Sequence, residues 1–255
     1  MKIYRYKQNS KNYYGILKEE NLFPIEGSIF RKFNVKKKGI PIAEVRLLPP
    51  VKPTKIVAVG INYKDHAMER GNRLPSNPLI FLKPPSAIIG PNDIIVYPKM
   101  SKRVDYEGEL AVIIKKKAYR LDKDEEVQNH ILGYTCFNDV TARDLQDKDV
   151  QFTRAKSFDT FAAVGPCIET DIDPSQLRIK TFLNGKLRQS GNTSKLVFSV
   201  PFLLKFISQV MSLVPGDIIT TGTPAGVGPM KPGDRVDVQI TGIGTLSNTV
   251  LKIKK

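Results

Sequence analysis

An apolar run from Val104 to Ile114 carries acidic side chains where a buried strand would normally carry none. Its first half reads Asp105-Tyr106-Glu107-Gly108-Glu109, so two glutamates lie two residues apart. Because side chains alternate between the two faces of a strand, Glu107 and Glu109 are predicted to project from the same face. Carboxylates that share a buried face repel each other and lose hydration unless a cation neutralises them. The run therefore predicts a site for a hard metal ion, and the alternative is an exposed edge strand with a polar face.

Most of the chain is predicted to form short β-strands, separated by turn signals such as Asn184-Gly185 and Pro215-Gly216-Asp217. The predicted strands are residues 2–6, 13–17, 56–59, 79–82, 104–114, 131–137, 178–183, 218–221, 236–240 and 246–253. The predicted helices are residues 63–70, 124–129, 141–147 and 200–208. This pattern predicts a β-dominated α+β fold with accessory helices.

Three prolines, Pro49, Pro50 and Pro53, interrupt the chain after its first strands and a lysine-rich segment. Such a stretch resists both a helix and a central strand. We therefore expect a small N-terminal subdomain with its linker over residues 1–53 and a larger domain over residues 54–255.

Composition limits the classes of protein that this chain resembles. Its 255 residues include 41% hydrophobic residues, enough for a sizeable core, and its two cysteines provide no disulfide framework. No apolar run is long enough to span a bilayer, and the first residues lack a secretory signal pattern, so we expect a cytoplasmic protein without a membrane partner. The net charge of +15 raises the alternative of a basic nucleic-acid-binding protein. The charges are scattered, however, and we expect no nucleic-acid partner but a field that attracts a small anionic substrate.

Asp139 follows the predicted strand 131–137 and precedes the predicted helix 141–147. By itself, an aspartate in this position most often caps a helix. Together with Glu107 and Glu109 it completes a set of three carboxylates, which suits Mg²⁺ or Mn²⁺ because these ions prefer oxygen ligands.

His66 and Glu69 lie three residues apart in a predicted helix and therefore share one face. Glu69 would then orient the imidazole or accept a proton through it, although surface helices often carry such a pair without function. Gly60 and Gly71 flank the segment and would allow it to move as a lid. The other histidine, His130, is expected to be solvated.

Two lysines lie beside aromatic or proline residues, Lys83 in Phe81-Leu82-Lys83-Pro84 and Lys156 in Phe152-Thr153-Arg154-Ala155-Lys156-Ser157-Phe158. A partly desolvated lysine would bind or stabilise an anionic oxygen, whereas most lysines in a chain this basic face solvent. The segment from Thr221 to Gly228 matches neither the Walker pattern nor G-x-G-x-x-G, which disfavours nucleotide binding. A glycine-rich turn of this kind still brings backbone N–H groups and the Thr223 hydroxyl close to a carboxylate.

Six short motifs occur in one order along the chain. They are Asn62-Tyr63-x-x-His66-x-x-Glu69, Phe81-Leu82-Lys83-Pro84, Asp105-Tyr106-Glu107-Gly108-Glu109-Leu110, Asn138-Asp139-Val140-Thr141-Ala142-Arg143-Asp144, Ala155-Lys156-Ser157-Phe158-Asp159 and Thr221-Gly222-Thr223-Pro224-x-Gly226-Val227-Gly228. From residue 54 onward the chain resembles the fumarylacetoacetate hydrolase family. This resemblance implies a β-roll of mixed sheets, commonly dimeric, with a small variable N-terminal part.

The resemblance also implies the chemistry of the site. Glu107, Glu109 and Asp139 would bind Mg²⁺ or Mn²⁺, and the substrate would be a 2-oxo acid or its enol. Lys156 would stabilise the developing enolate beside the metal.

Further roles follow from the same resemblance. His66 and Glu69 would form a general-base dyad on a lid that orders when substrate binds. Arg143, Lys83 and Thr223 would hold substrate oxygens.

One position departs from the pattern of some hydrolases of the family, which carry a further metal-binding aspartate where this chain has Asn62. The chain instead resembles the branch of acylpyruvases, oxaloacetate decarboxylases and 2-hydroxyhepta-2,4-diene-1,7-dioate isomerases. We therefore expect a Mg²⁺-dependent homodimeric enzyme that acts through an enolate held at the metal, foremost as such an isomerase or decarboxylase. Acylpyruvate C–C bond hydrolysis and oxaloacetate decarboxylation or tautomerisation are the alternatives, and a metal-stabilised binding protein without activity is a third possibility.

Overall fold

The structure is a computed structural model and describes residues 1–69, 71 and 73–252. The strands of its first part are β1 (Lys2–Gln8), β2 (Lys11–Lys18), β3 (Asn21–Gly27), β4 (Phe33–Val35), β5 (Ile40–Pro41), β6 (Arg46–Leu47), β7 (Ile56–Gly60), β8 (Leu79–Lys83), β9 (Ile88–Ile89) and β10 (Ile94–Val96). Those of its second part are β11 (Val104–Tyr106), β12 (Gly108–Ile114), β13 (Ile131–Asp139), β14 (Thr141–Ala142), β15 (Ala162–Glu169), β16 (Arg178–Leu183), β17 (Lys186–Asn192), β18 (Ile218–Thr220), β19 (Gly228–Met230), β20 (Arg235–Ile240) and β21 (Gly244–Leu251). The α-helices are α1 (Lys64–Glu69), α2 (Asp124–Val127), α3 (Arg143–Gln146), α4 (Thr153–Lys156) and α5 (Val200–Val210).

Three sheets organise the described part of the chain, and the predicted β-dominated α+β fold is confirmed. The largest sheet has the order β4-β3-β2-β1-β15-β13-β12-β18-β7-β8, the second has the order β10-β21-β20-β16-β17, and the third has the order β14-β11-β19. Both parallel and antiparallel pairs occur, since β18 pairs with β7 in parallel while β12 pairs with β13 antiparallel. Buried apolar side chains such as Leu110, Ile179 and Val238 form the main core.

The predicted strand 104–114 is two strands in different sheets. Its first part, β11, pairs with β14 and β19, whereas β12 pairs with β13 and β18. Glu107 lies at the break between them. The break places its carboxylate between two sheets, in a position that a single continuous strand would not provide.

Other differences from the predicted elements have simple causes. Residues 141–142 of the predicted helix form β14, and the helix begins at Arg143. The strands β15 and β17 were not predicted, because Gly165-Pro166 interrupts the apolar run of β15 and β17 carries few apolar residues. Residue 70 of the predicted first helix and residue 253 of the predicted last strand lie outside the described residues.

The first fifty residues extend the large sheet. Lys2 and Ile3 of β1 pair with Glu169 and Ile168 of β15, which in turn pairs with β13. In the segment that follows, Val51 and Pro53 are buried. The boundary at residue 53 stays a prediction.

Asp217 fixes the chain where that segment enters β7. Its carboxylate accepts hydrogen bonds from the Thr54 hydroxyl at 2.7 Å, from Lys55 Nζ at 2.6 Å and from the Val214 N–H at 2.9 Å. The side chain is fully buried, and these bonds join the start of β7 to the turn before β18. In the described part of the chain, no helix has the length and apolar character that crossing a membrane requires.

Candidate active site

Glu107, Glu109 and Asp139 converge where β11, β12 and β13 meet. One ligand oxygen from each carboxylate lies within 4.8 Å of the others, and all three side chains are buried. The backbone fixes the arrangement, because the Asp139 N–H donates to the Glu107 carbonyl at 2.9 Å. Asp139 ends its strand and does not cap the following helix, whose N-cap is Ala142. This arrangement of three oxygen donors fits Mg²⁺ or Mn²⁺.

Cationic groups contact two of the three carboxylates. Lys156 Nζ donates to Glu107 Oε2 at 2.8 Å and to Asp139 Oδ2 at 2.6 Å. Lys83 Nζ donates to Asp139 Oδ1, and Arg143 Nη2 donates to Glu107 Oε1. Glu109 instead accepts a hydrogen bond from the Gly222 N–H at 2.8 Å and has no salt-bridge partner among the described residues. Its charge is therefore the one that a bound cation would neutralise most directly.

The ionisation of the cluster follows from burial and these charges. Burial raises the pKa of Glu109, and the carboxylates of Asp139 and Glu107 raise it further. Burial also raises the pKa of Glu107, but the charges of Lys156 and Arg143 outweigh that effect and hold the pKa well below its ordinary value. Burial lowers the pKa of Lys156, but the carboxylates of Asp139 and Glu107 outweigh it and the pKa is raised. Lys156 is therefore a charged ammonium at neutral pH.

Asp105 pairs with two arginines and is not among the three carboxylates that could hold a metal ion. Arg143 Nε donates to Asp105 Oδ2 at 3.0 Å, and Arg103 Nε donates to Asp105 Oδ1 at 2.9 Å. Arg143 also donates to Gln146, so its guanidinium is shared among three protein groups. Arg143 lines the pocket, but its observed contacts position Glu107, and a substrate contact stays a prediction.

Lys83 is 1% exposed and contacts Asp139 Oδ1 and, at 3.3 Å, the Val140 carbonyl. It is not among the residues that line the pocket. Burial lowers the pKa of Lys83, while the charge of Asp139 opposes that change. Its predicted contact with substrate therefore stays a prediction, and its observed contact is with a candidate metal ligand.

His66 and Glu69 face each other on α1, with Nδ1 and Oε2 3.4 Å apart. His66 is 8% exposed and lines the same pocket as the carboxylates. Both Glu69 oxygens lie 3.1 Å from the Gly226 N–H, which joins α1 to the glycine-rich turn. The movement of this helix as a lid stays a prediction.

The glycine-rich turn is attached to the metal strand through Gln189, which sequence reasoning missed. Gln189 Oε1 accepts from the Gly108 N–H at 3.0 Å, and Nε2 donates to Thr223 Oγ1 at 2.7 Å and to the Pro224 carbonyl at 2.8 Å. Thr223 Oγ1 donates to the Gly108 carbonyl at 2.9 Å, so the hydroxyl predicted to hold substrate is already engaged in the protein. Nothing in the sequence around Gln189 indicates these contacts, because its partners lie 34 to 81 residues away.

These residues surround a pocket of about 200 Å³. Its polar lining comprises His66, Glu107, Glu109, Asp139, Arg143, Gln146, Asp147, Lys156 and Thr223, and its apolar lining includes Val59, Phe81 and Phe152. Lys156 Nζ lies 5.2 Å from the centre of the ring of Phe81, an aromatic residue of β8 and not one of the neighbours of Lys156 in the sequence. A small anion that enters this pocket would therefore lie close to the ammonium of Lys156, the imidazole of His66 and the three carboxylates.

Comparison with known proteins agrees with this geometry. The profile of the fumarylacetoacetate (FAA) hydrolase C-terminal family matches residues 55–251, and an Rv2993c-like N-terminal profile matches residues 1–50. Oxaloacetate tautomerase YisK of Bacillus subtilis is 43% identical over 224 residues, which cover 82% of this chain and 74% of that protein.

Two solved structures share the fold over the whole chain. The 2-hydroxyhepta-2,4-diene-1,7-dioate isomerase from Mycobacterium marinum is 41% identical, with a TM-score of 0.93 and full coverage of both chains. The maleylpyruvate hydrolase from Sphingobium sp. SYK-6, in complex with manganese(II) and pyruvate, is 32% identical, with a TM-score of 0.82 and full coverage of both chains. The chain is therefore an enzyme that belongs to the fumarylacetoacetate hydrolase family.

Proposed function

We propose that this enzyme interconverts the keto and enol forms of a short 2-oxo diacid such as oxaloacetate, with Mg²⁺ or Mn²⁺ as cofactor. The observation that carries the proposal is the convergence of three buried carboxylates, one bridging lysine and one histidine on a single small pocket. A pocket of about 200 Å³ suits a substrate with few carbon atoms. The 43% identical relative YisK is named as an oxaloacetate tautomerase, which supports this choice of substrate.

Glu107, Glu109 and Asp139 would hold the ion. The donor set fits because all three ligands are oxygens and Glu109 has no cationic partner among the described residues. When bound, the ion supplies Lewis acidity to the substrate's 2-oxo oxygen. The manganese in the maleylpyruvate hydrolase structure supports a divalent cation in this family.

His66 would move the proton. Its Nδ1 faces Glu69 and leaves Nε2 available to a substrate in the pocket. In the keto-to-enol direction, Nε2 removes a proton from the carbon next to the 2-oxo group, and the electrons of that C–H bond form the new C=C bond. Glu69, held by the Gly226 N–H, stabilises the imidazolium that results.

Lys156 would stabilise the charge that develops on the 2-oxo oxygen. Lys156 is 2% exposed, and its ammonium keeps its proton because its pKa is raised. A fixed positive charge in a dry site stabilises an enolate oxygen more strongly than water does. Water donates a proton to that oxygen, which completes the enol, and the His66 imidazolium returns its proton to water. The reverse sequence returns the ketone.

Isomerisation of a longer 2-hydroxy-dienoic diacid and hydrolysis of a C–C bond are the other outcomes of the same enolate chemistry. The Mycobacterium marinum isomerase supports the first and the maleylpyruvate hydrolase supports the second. Hydrolysis requires an activated water in addition to the proton transfer, and decarboxylation requires a carboxylate as leaving group.

The experiment follows the ultraviolet absorbance of the oxaloacetate enol as it converts to the ketone in the presence of Mg²⁺. We expect catalytic acceleration by the wild type and a large loss in Lys156→Met, whereas Lys186→Met, which changes an exposed lysine, retains the rate. A coupled assay for pyruvate separates decarboxylation and acylpyruvate hydrolysis from tautomerisation. A wild type that forms pyruvate without accelerating enol decay would replace the tautomerase proposal with one of these alternatives.

We also propose that the enzyme is a cytoplasmic homodimer. Support for a self-interface comes from the edge strand β8, where Leu79 and Leu82 are 41% and 48% exposed. Light scattering coupled to size-exclusion chromatography measures the mass directly. A monomeric mass at micromolar concentration contradicts the dimer.

A further inference from the structure

A groove that shares no lining residue with the candidate active site is lined by four basic side chains. They are Arg5, Lys7, Arg46 and Lys52, and no acidic side chain is among the lining residues in the described part of the chain. The groove has a volume of about 510 Å³, and Pro49, Pro53, Pro85 and Ile88 contribute to its apolar walls. It lies between the part of the chain matched by the N-terminal profile and the part matched by the FAA hydrolase profile.

Arg5 is the most buried member of this set, and it has no counterion among the described residues. The residue is 7% exposed, and Nη1 donates to the Pro49 carbonyl at 3.2 Å. Its guanidinium has no carboxylate within salt-bridge distance among residues 1–69, 71 and 73–252, and its other N–H groups have no hydrogen-bond partner there. No Arg5 nitrogen is among the buried side-chain atoms that lack a hydrogen-bond partner, so the N–H groups without a protein partner remain accessible. Because Arg5 lines the groove, these N–H groups are available to an anion that enters it.

The rim of the groove adds positive charge around this guanidinium. Lys7 and Lys52 are exposed and form no ion pair with any described residue, while Arg46 is partly neutralised by Asp93 at 2.8 Å. An anion in the groove would therefore face one buried and at least two exposed uncompensated cations. The planar guanidinium has N–H groups spaced to bind two oxygens of a carboxylate or phosphate at once.

We propose that this groove is a binding site for a small polyanion with carboxylate or phosphate groups, anchored by Arg5. The ligand's oxygens would accept the N–H groups of Arg5 that have no protein partner, and its remaining charge would face Lys7 and Lys52. The apolar walls provide room for a short carbon skeleton beside the charged groups.

Isothermal titration calorimetry on the metal-free full chain tests the proposal with two probes, pyrophosphate and the tricarboxylate tricarballylate. We expect saturable binding of at least one probe, and the comparison of the two identifies whether phosphate or carboxylate is preferred. Arg5→Met keeps most of the side-chain volume and should weaken binding at least tenfold, which corresponds to about 1.4 kcal/mol. Lys52→Met, a change at the exposed rim, should weaken binding by about threefold.

Two control variants locate the binding. Lys156→Met removes the central cation of the candidate active site and should leave binding unchanged. Lys186→Met removes an exposed lysine elsewhere and should also leave it unchanged. Equal weakening in Lys186→Met and Arg5→Met would show diffuse charge attraction and overturn the proposal, as would the absence of binding by either probe.

Urea unfolding provides a second readout that a structural role for Arg5 would not reproduce. In buffer without polyanion, Arg5→Met should lose little stability, because the only side-chain hydrogen bond it removes among the described residues is the one to the Pro49 carbonyl, and methionine keeps most of the apolar packing. Adding the bound probe should raise the stability of the wild type but not of the variant. If Arg5→Met is destabilised and the probe raises its stability as much as that of the wild type, Arg5 does not bind the probe and the proposal is contradicted. Much tighter binding of a single-stranded oligonucleotide than of either probe would show instead that the groove is part of a nucleic-acid surface.

Discussion

Replacing Gln189 with leucine removes the side chain that joins the metal strand to the glycine-rich turn. Three hydrogen bonds are lost, to the Gly108 N–H, to Thr223 Oγ1 and to the Pro224 carbonyl. Thr223 keeps its bond to the Gly108 carbonyl, so two buried backbone groups become unpaired.

The expected loss of free energy of unfolding follows from those two unpaired backbone groups. Each orphaned backbone group costs about 1–3 kcal/mol, and the apolar burial of leucine offsets part of the sum. We therefore expect Gln189→Leu to lower the free energy of unfolding by about 2–4 kcal/mol. The turn also holds Glu69 through the Gly226 N–H, so enzymatic activity should fall by more than tenfold under conditions where the variant is folded.

Urea denaturation followed by linear extrapolation measures the stability change. Ser190→Ala alters the exposed neighbour on the same strand and serves as the control, with an expected change within about 0.5 kcal/mol. If Gln189→Leu is as stable as Ser190→Ala and equally active, the hydrogen-bond network does not position the site.

Two further predictions concern proton transfer and acid stability. His66→Ala should lower kcat by about 10²–10⁴-fold, while its Mn²⁺ affinity stays near that of the wild type. Met68→Ala, at an exposed position of the same helix, should retain activity. Equal kcat in His66→Ala and wild type would show that His66 takes no part in the proton transfer. Burial raises the pKa of Asp217, but hydrogen bonds from Lys55, the Val214 N–H and Thr54 outweigh it and hold the pKa below its ordinary value of about 3.9. A depressed folded-state pKa stabilises the protein above the unfolded pKa, and this contribution disappears as pH falls through the folded pKa. The free energy of unfolding of Asp217→Asn should therefore be about 2–4 kcal/mol below that of the wild type at neutral pH, and this difference should shrink below about pH 4. A difference of the same size at neutral and at acidic pH would contradict the ionic role of Asp217.

The pair Glu107 and Glu109 was predictable because its spacing is local, whereas Asp139 lies on a separate strand and its place beside them was implied by the resemblance to the family. Glu107 and Glu109 are two residues apart, and Asp139 closes a strand that the apolar pattern marks well. The strand break at Glu107 was not predictable, because it depends on β11 pairing with β14 and β19, which lie far along the chain.

The directions of the basic side chains were harder to infer. The residue types of Lys83 and Arg143 predict contact with an anion, and substrate oxygens were the expected partners. Their observed partners are Asp139 and Glu107, since buried carboxylates attract the nearest cations irrespective of sequence separation. The role of Gln189 could not be predicted from the neighbouring sequence, because its hydrogen-bond partners come close to it only in the folded chain.

Divalent metal binding by the three carboxylates is the central claim, and titration of Mn²⁺ into the metal-free protein, followed by electron paramagnetic resonance, tests it most directly. We expect one bound Mn²⁺ ion per chain in the wild type and a loss of affinity of at least about tenfold in Glu109→Gln. The affinity of Glu69→Gln should be unchanged, because Glu69 lies outside the ligand set. Equal Mn²⁺ affinity in Glu109→Gln and wild type would contradict the metal centre and, with it, the proposed reaction.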